Sequence, residues 1–122
     1  MTQENKELLL RDLCTRLPYD LMVDYKGESY NVLGITHGRL VLCKPFMSHT
    51  LNECPLVKEV KPYLFPLSSM TEEQEKEWRY TLSSDGNITY DTVDWCNKNH
   101  FDYRGLIEKS LASDATNLGI YE

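Results

Sequence analysis

Cys96 and His100 are the residues of this 122-residue chain whose types and spacing come nearest to a catalytic pair. Four positions apart on a helix they share a face, and a thiolate beside an imidazole is a nucleophile with its base. Asp94 and Asp102 are close enough in sequence to orient the ring. The context argues the other way: Cys96 falls on the apolar side of its helical pattern, where a packed thiol is the common state. No glycine-rich nucleophile turn or oxyanion signature accompanies it. No catalytic residue is assigned, and a non-enzymatic protein is expected.

A second cluster of candidate ligands is His37, Cys43, His49 and Cys54, which fall within eighteen residues and are all types that bind zinc. Their spacings match neither a knuckle nor a finger, and His37 and Cys43 bracket one expected strand, which would hold them about 20 Å apart. Neither a metal nor a cofactor is expected. The carboxylates between Glu72 and Glu77 belong to a solvated helix face, and Asp91 and Asp94 to a helix start. Glycosidase-like chemistry needs two carboxylates in one cleft with different environments, and nothing marks such a pair. Asp85-Gly86-Asn87 lacks the ligand ladder of a calcium loop, and no glycine-rich phosphate cradle occurs.

The remaining signal is aromatic. Tyr63, Phe65, Trp78, Tyr80, Tyr90, Trp95, Phe101 and Tyr103 all fall in the C-terminal half. Building a core is the ordinary use of such side chains, and an exposed contact patch is the functional one. If a patch exists, Tyr63, Phe65, Trp78, Tyr80, Tyr103 and Arg104 are its candidate binding residues. On an acidic surface it suits a protein partner better than a nucleic acid.

The elements that would position these residues follow from periodicity. Asn5 caps a helix over residues 5–16, with Leu9, Leu10, Leu13, Cys14 and Leu17 on one face and Pro18 ending it. Alternation then predicts strands through Leu21–Tyr25, Tyr30–Ile35 and Arg39–Cys43, turned at Lys26-Gly27-Glu28 and His37-Gly38, with a bulge at Gly34. Residues 44–68 carry four prolines and read as an ordered connection, with Leu56–Val60 or Tyr63–Leu67 as an edge strand. Thr71 and Gln74 form a capping box for an acidic helix that Ser83–Asn87 breaks. Asp91 and Asp102 would cap two more, stapled by Tyr90 with Trp95 and by Phe101 with Leu106. A three-stranded meander cannot bury its apolar face alone, so the expected fold is a single α+β domain over 1–122. Its parts are an N-terminal helix, a three-stranded antiparallel meander, a proline-rich connection, and two to three C-terminal helices packed on the sheet.

Composition narrows the class of function. Thirteen Lys and Arg stand against 19 Asp and Glu, a net charge of −6, which argues against affinity built on phosphate neutralisation. No stretch approaches the roughly 18–20 apolar residues of a membrane span, and MTQENKELLLRD lacks the pattern of a secretion signal. A cytoplasmic location is expected, with the four cysteines as free thiols and Asn87-Ile88-Thr89 as a turn.

KPYLFPLSSMTEEQ and DWCNKNHFDYRGLIEKSLA together resemble a group of small proteins carried by phages and prophages of gut Bacteroidetes. In that group a KPYLRP-like segment precedes SSMT and an acidic helix, and a W-L-containing segment precedes FDYRGLI. Here Phe65 stands in place of the Arg and Cys96 in place of the Leu, and the second departure favours a packed thiol. The resemblance implies a mobile-element origin, a host-cell cytoplasmic setting, and no particular reaction. The expected function is a phage or prophage accessory protein that binds a host or phage protein, one version being an acidic inhibitor of a host factor. The alternatives are a nucleotide-like small-ligand binder, with Arg16, Arg39 or Arg104 converging in a pocket, and, third in order, an enzyme using Cys96 and His100.

Overall fold

The structure, a computed structural model, describes residues 2–44 and 53–121. It is an α+β domain: helix α1 (Gln3–Arg16), strands β1 (Met22–Tyr25), β2 (Glu28–Thr36), β3 (Arg39–Cys43) and β4 (Val60–Leu64), helices α2 (Glu72–Thr81) and α3 (Tyr90–Lys98), and a two-residue β5 (Ser113–Asp114). The strands form one sheet in the order β3-β2-β1-β4-β5.

The meander is present and its turns follow from sequence. Lys26-Gly27 and His37-Gly38 each connect adjoining strands with positive φ at both residues (54° and 79°, 50° and 74°). This is the type I′ geometry whose twist matches antiparallel strands, and glycine supplies its second position without strain. The register slips between Val32 and Gly34, so Leu33 is the extra residue of the expected bulge and lies exposed.

The sheet is larger than the expected meander. β4 adds antiparallel to β1, and β5 adds parallel to β4. The prolines had pointed to a surface connection at best edging the sheet, yet Pro62 sits mid-strand, opposite Val23. That is tolerable because β5 reaches only Tyr63 and Leu64, so Pro62 has a strand neighbour on one side alone. His49 and Pro45 lie outside the described residues.

Three helix expectations need correction. α1 is capped by Thr2, whose hydroxyl accepts from the Asn5 amide, and it buries Leu9, Asp12, Leu13 and Arg16, leaving Cys14 exposed. α3 begins two residues earlier than expected, with Thr89 and not Asp91 as its cap, so Tyr90 is a surface residue and no staple. No helix follows Asp102. Its carboxylate does accept from the Leu106 and Ile107 amides, but Gly105 at φ 73° and Ser110 at φ 60° bend the chain into turns.

Leu21, Val23 and Tyr25 share one core with Leu9 and Leu13 of α1 and with Val32, Leu40, Leu42, Val60 and Leu64. Met22 and Tyr63 pack separately with Ala115, Phe65, Ile120 and Tyr121. The C-terminal segment, not a third helix, supplies this second cluster. α2 contributes no buried side chain, so the acidic helix is not packed into the sheet.

Candidate functional site

A buried ion pair organises the region where the C-terminal half meets α1. Asp12 and Arg16, four residues apart inside the apolar stripe, are fully enclosed, with Arg16 Nε donating to Asp12 Oδ2 at 2.8 Å. Arg16 also donates to the Phe101 carbonyl at 2.6 Å and to the Cys96 carbonyl at 3.5 Å. Arg104 Nε lies 3.2 Å from Asp12 Oδ1, near enough for attraction but out of line for a hydrogen bond. Both guanidinium groups lie over the Tyr103 ring, at 5.3 Å (Arg16) and 5.0 Å (Arg104) from its centre.

The two carbonyls that Arg16 holds belong to the end of α3. There the Phe101 amide donates to the Cys96 carbonyl and the His100 amide to the Asn97 carbonyl, with His100 itself left-handed at φ 63°. This is the Schellman arrangement, in which the left-handed position is normally glycine because a Cβ is strained there. The next residues pair with the end of β4: the Phe65 amide donates to the His100 carbonyl and the Asp102 amide to the Phe65 carbonyl.

His100 therefore stands in the wall of an open cleft of about 590 Å³. Pro18, Tyr19 and Asp20, from the turn after α1, form one side, and Asp20 is left-handed like His100, at φ 54°. Lys98, Asn99 and His100 come from the end of α3, Gln74 from α2, and Phe65 and Tyr121 complete the lining. The His100 and Tyr121 rings stack with centres 3.6 Å apart and planes 8° from parallel. Behind them Phe65 contacts both Tyr121 and Phe101, and Phe101 stacks on Trp95, so the aromatic wall is continuous back to α3. The Tyr121 hydroxyl donates to the Tyr63 carbonyl at 2.7 Å and accepts from the Met22 amide at 3.1 Å.

Electrostatics disfavours the nucleophilic pair. Burial pushes the Cys96 thiol up to about 11, against a smaller downward pull from Arg16. Burial, reinforced by the Arg16 charge, pulls His100 down to about 4. Both groups are uncharged at neutral pH, the reverse of a thiolate with an imidazolium. His100 Nδ1 is enclosed with no hydrogen-bond partner among the described residues. Burial also raises the Tyr121 phenol, which stays protonated.

A second feature is the tip of the α2–α3 hairpin. Thr89 Oγ1 donates to the Thr81 carbonyl at 2.7 Å, Thr92 Oγ1 donates to the same carbonyl at 3.0 Å, and the Thr81 and Thr92 hydroxyls are 3.1 Å apart. This knot ties the backbone beside Tyr80 to the backbone beside Tyr90. Both tyrosines are 91% exposed, and Ile88 between them in sequence is 63% exposed. Residues 72–98 carry seven carboxylates against three cations, so −4 of the chain's −6 lies on this hairpin.

The six sequence candidates do not converge. Tyr63 is buried in the second core, its hydroxyl 3.5 Å from Ser29 Oγ, while Phe65 lines the cleft. Trp78 and Tyr103 border a small apolar cavity of about 40 Å³ with Cys96, and Arg104 faces Asp12. Of the six, Tyr80 alone is highly exposed. None of the three arginines expected in a pocket reaches the cleft: Arg16 is buried, Arg104 is ion-paired, and exposed Arg39 donates to the Cys54 carbonyl at 3.0 Å. Sequence reasoning missed Tyr121 and Asp20, which no local pattern distinguishes. It also missed the Asp12–Arg16 pair, although its place within the Leu9 and Leu13 stripe was a usable signal.

Among the described residues no group of three or more His, Cys, Asp or Glu could hold a metal, and no helix is long and apolar enough to cross a membrane. No protein-family model, curated protein or solved structure matches the chain.

Proposed function

We propose that the protein is a non-enzymatic binding protein that docks a basic surface of another protein through the tip of its α2–α3 hairpin. The observation that carries this is the pair of exposed tyrosines, Tyr80 and Tyr90, held at one end of the hairpin by the threonine knot. Tyrosine gives large contact area at low entropic cost and dominates interface hot spots, whereas scattered exposed apolar residues carry no such meaning. The surrounding charge of −4 selects the partner's sign and speeds encounter. With the resemblance of its KPYLFPLSSMTEE and FDYRGLI segments, the setting is a phage or prophage accessory protein acting on a host or phage protein, in one version an acidic inhibitor of a host factor.

The test is affinity capture from the host at low and high salt, using the wild-type chain, a Tyr80→Ser/Tyr90→Ser double variant and a control, Leu33→Ser, at an exposed apolar residue of β2 outside the hairpin. A partner retained by the control, lost by the double variant and weakened by salt supports the reading. Identical partners for all three chains refute it.

A further inference from the structure

The cleft beside His100 has no role in hairpin docking, and its construction calls for an explanation of its own. Glycine would satisfy the left-handed cap of α3 without strain, while histidine there costs about 1 kcal/mol and encloses an unpaired ring nitrogen. Asp20, on the facing side, is a second left-handed residue in the same cleft. Backbone strain of this kind gathers where side chains are aimed at a ligand.

We propose that this cleft binds a nucleoside or nucleoside monophosphate, with the base laid against the aromatic wall and the phosphate met by Lys98. At about 590 Å³ its volume lies within the roughly 300–1,000 Å³ typical of small-molecule sites. The lining carries the parallel-stacked rings of His100 and Tyr121, with Phe65 tilted 54° to Tyr121, an aromatic surface that suits a planar ring. The polar groups around it have defined spare capacity. Asn99 spends its amide nitrogen on the Trp95 carbonyl at 2.9 Å, leaving Oδ1 as an acceptor. Gln74 spends Oε1 on the Thr71 amide at 2.9 Å in the capping box, leaving its NH₂ as a donor. One amide donor and one amide acceptor beside stacked rings match the mixed edge of a base. A sugar alone would leave the rings unused. Among the described residues Lys98 is the one cation lining the cleft and Asp20 is an anion, so a single phosphate is accommodated and a triphosphate is repelled. The low proton affinity of His100 keeps its ring uncharged at neutral pH, as a stacking surface and not a second phosphate ligand.

The test titrates the full chain with adenosine monophosphate, guanosine monophosphate, adenosine and ribose 5-phosphate, following amide and ring resonances by NMR. Saturable shifts centred on Asn99, His100 and Tyr121 are expected with at least one nucleotide. Lys98→Ala should weaken that nucleotide about 5- to 10-fold and adenosine less than about 2-fold, the loss of one charged contact. His100→Gly keeps the cap and removes the ring, and should weaken both at least about 10-fold with no fall in melting temperature. No saturation by any base-bearing probe up to about 10 mM, the weak limit for a specific site, overturns the proposal. So does ribose 5-phosphate binding as well as the nucleotides, or His100→Gly binding them as well as wild type. None of these outcomes touches Tyr80 or Tyr90, so failure here leaves hairpin docking standing.

Discussion

Replacing Asp12 with alanine tests whether the enclosed ion pair anchors the end of α3. In the wild type the carboxylate is, among the described residues, the sole anion paired with Arg16, at 2.8 Å with both side chains fully enclosed, and it also attracts Arg104 at 3.2 Å. Removing one member of a buried pair strands the other and typically costs about 3–5 kcal/mol. Arg16 would keep the Phe101 and Cys96 carbonyls and the Tyr103 ring, which place the loss at the lower end, about 3 kcal/mol. For a chain of this size that lowers the melting temperature by roughly 10–15 °C, out of a total stability of about 5–15 kcal/mol. A double change, Asp12→Ala with Arg16→Met, removes the stranded charge and should recover about 1–2 kcal/mol of the single variant's loss. Urea unfolding of wild type, both singles and the double provides the cycle. A loss below about 1 kcal/mol for Asp12→Ala, or a double variant equal to the sum of the singles, would refute the claim that these residues act as one unit. The local consequence is separate: without its counter-ion Arg16 should hold the cap less firmly, and hydrogen exchange at the His100 and Phe101 amides should rise more than at β2.

Tyr63→Ala should lower the melting temperature by roughly 7–20 °C, about 2–4 kcal/mol for a buried aromatic, while Tyr80→Ala should leave it unchanged within about 2 °C, as circular dichroism would read directly. His100 gives a pH dependence with a defined sign. Its proton affinity falls from the ordinary 6.5 to about 4 on folding, so between those values the unfolded chain binds the extra proton. Stability from this group is complete above about pH 6.5 and drains away as the pH falls toward 4, by ~1–2 kcal/mol after allowing for the ring's partial exposure. Urea midpoints at pH 7 and pH 4.5 should therefore diverge more for wild type than for His100→Gly. Cys96, enclosed and pushed up to about 11, should react with iodoacetamide at pH 7.5 far more slowly than exposed Cys14 and Cys54, and mass spectrometry of the labelled peptides distinguishes them.

What could be read from the chain beforehand divides along the range of the interactions involved. The two hairpin turns, the bulge beside Gly34 and the Thr71–Gln74 capping box were legible because each is decided by residues within four positions of one another. β4 was not, because period-two alternation across Val60–Leu64 competes with a proline whose tolerance depends on how far a strand fifty residues later extends. The last helix failed differently: Asp102 caps as its sequence suggests, but Gly105 takes a left-handed conformation inside the first turn, and propagation stops. The cleft was least legible of all. Its walls come from the turn after α1, the end of β4, α2, the cap of α3 and Tyr121, five segments of which the buried Arg16 ties α1 to the cap of α3. Histidine at a helix-terminating position carries no local signal of purpose, since Asn or Gly would end the helix equally well. Only the fold shows that this ring, placed where the backbone prefers no side chain, faces Tyr121, and so the choice of residue becomes informative once the tertiary contacts are in hand.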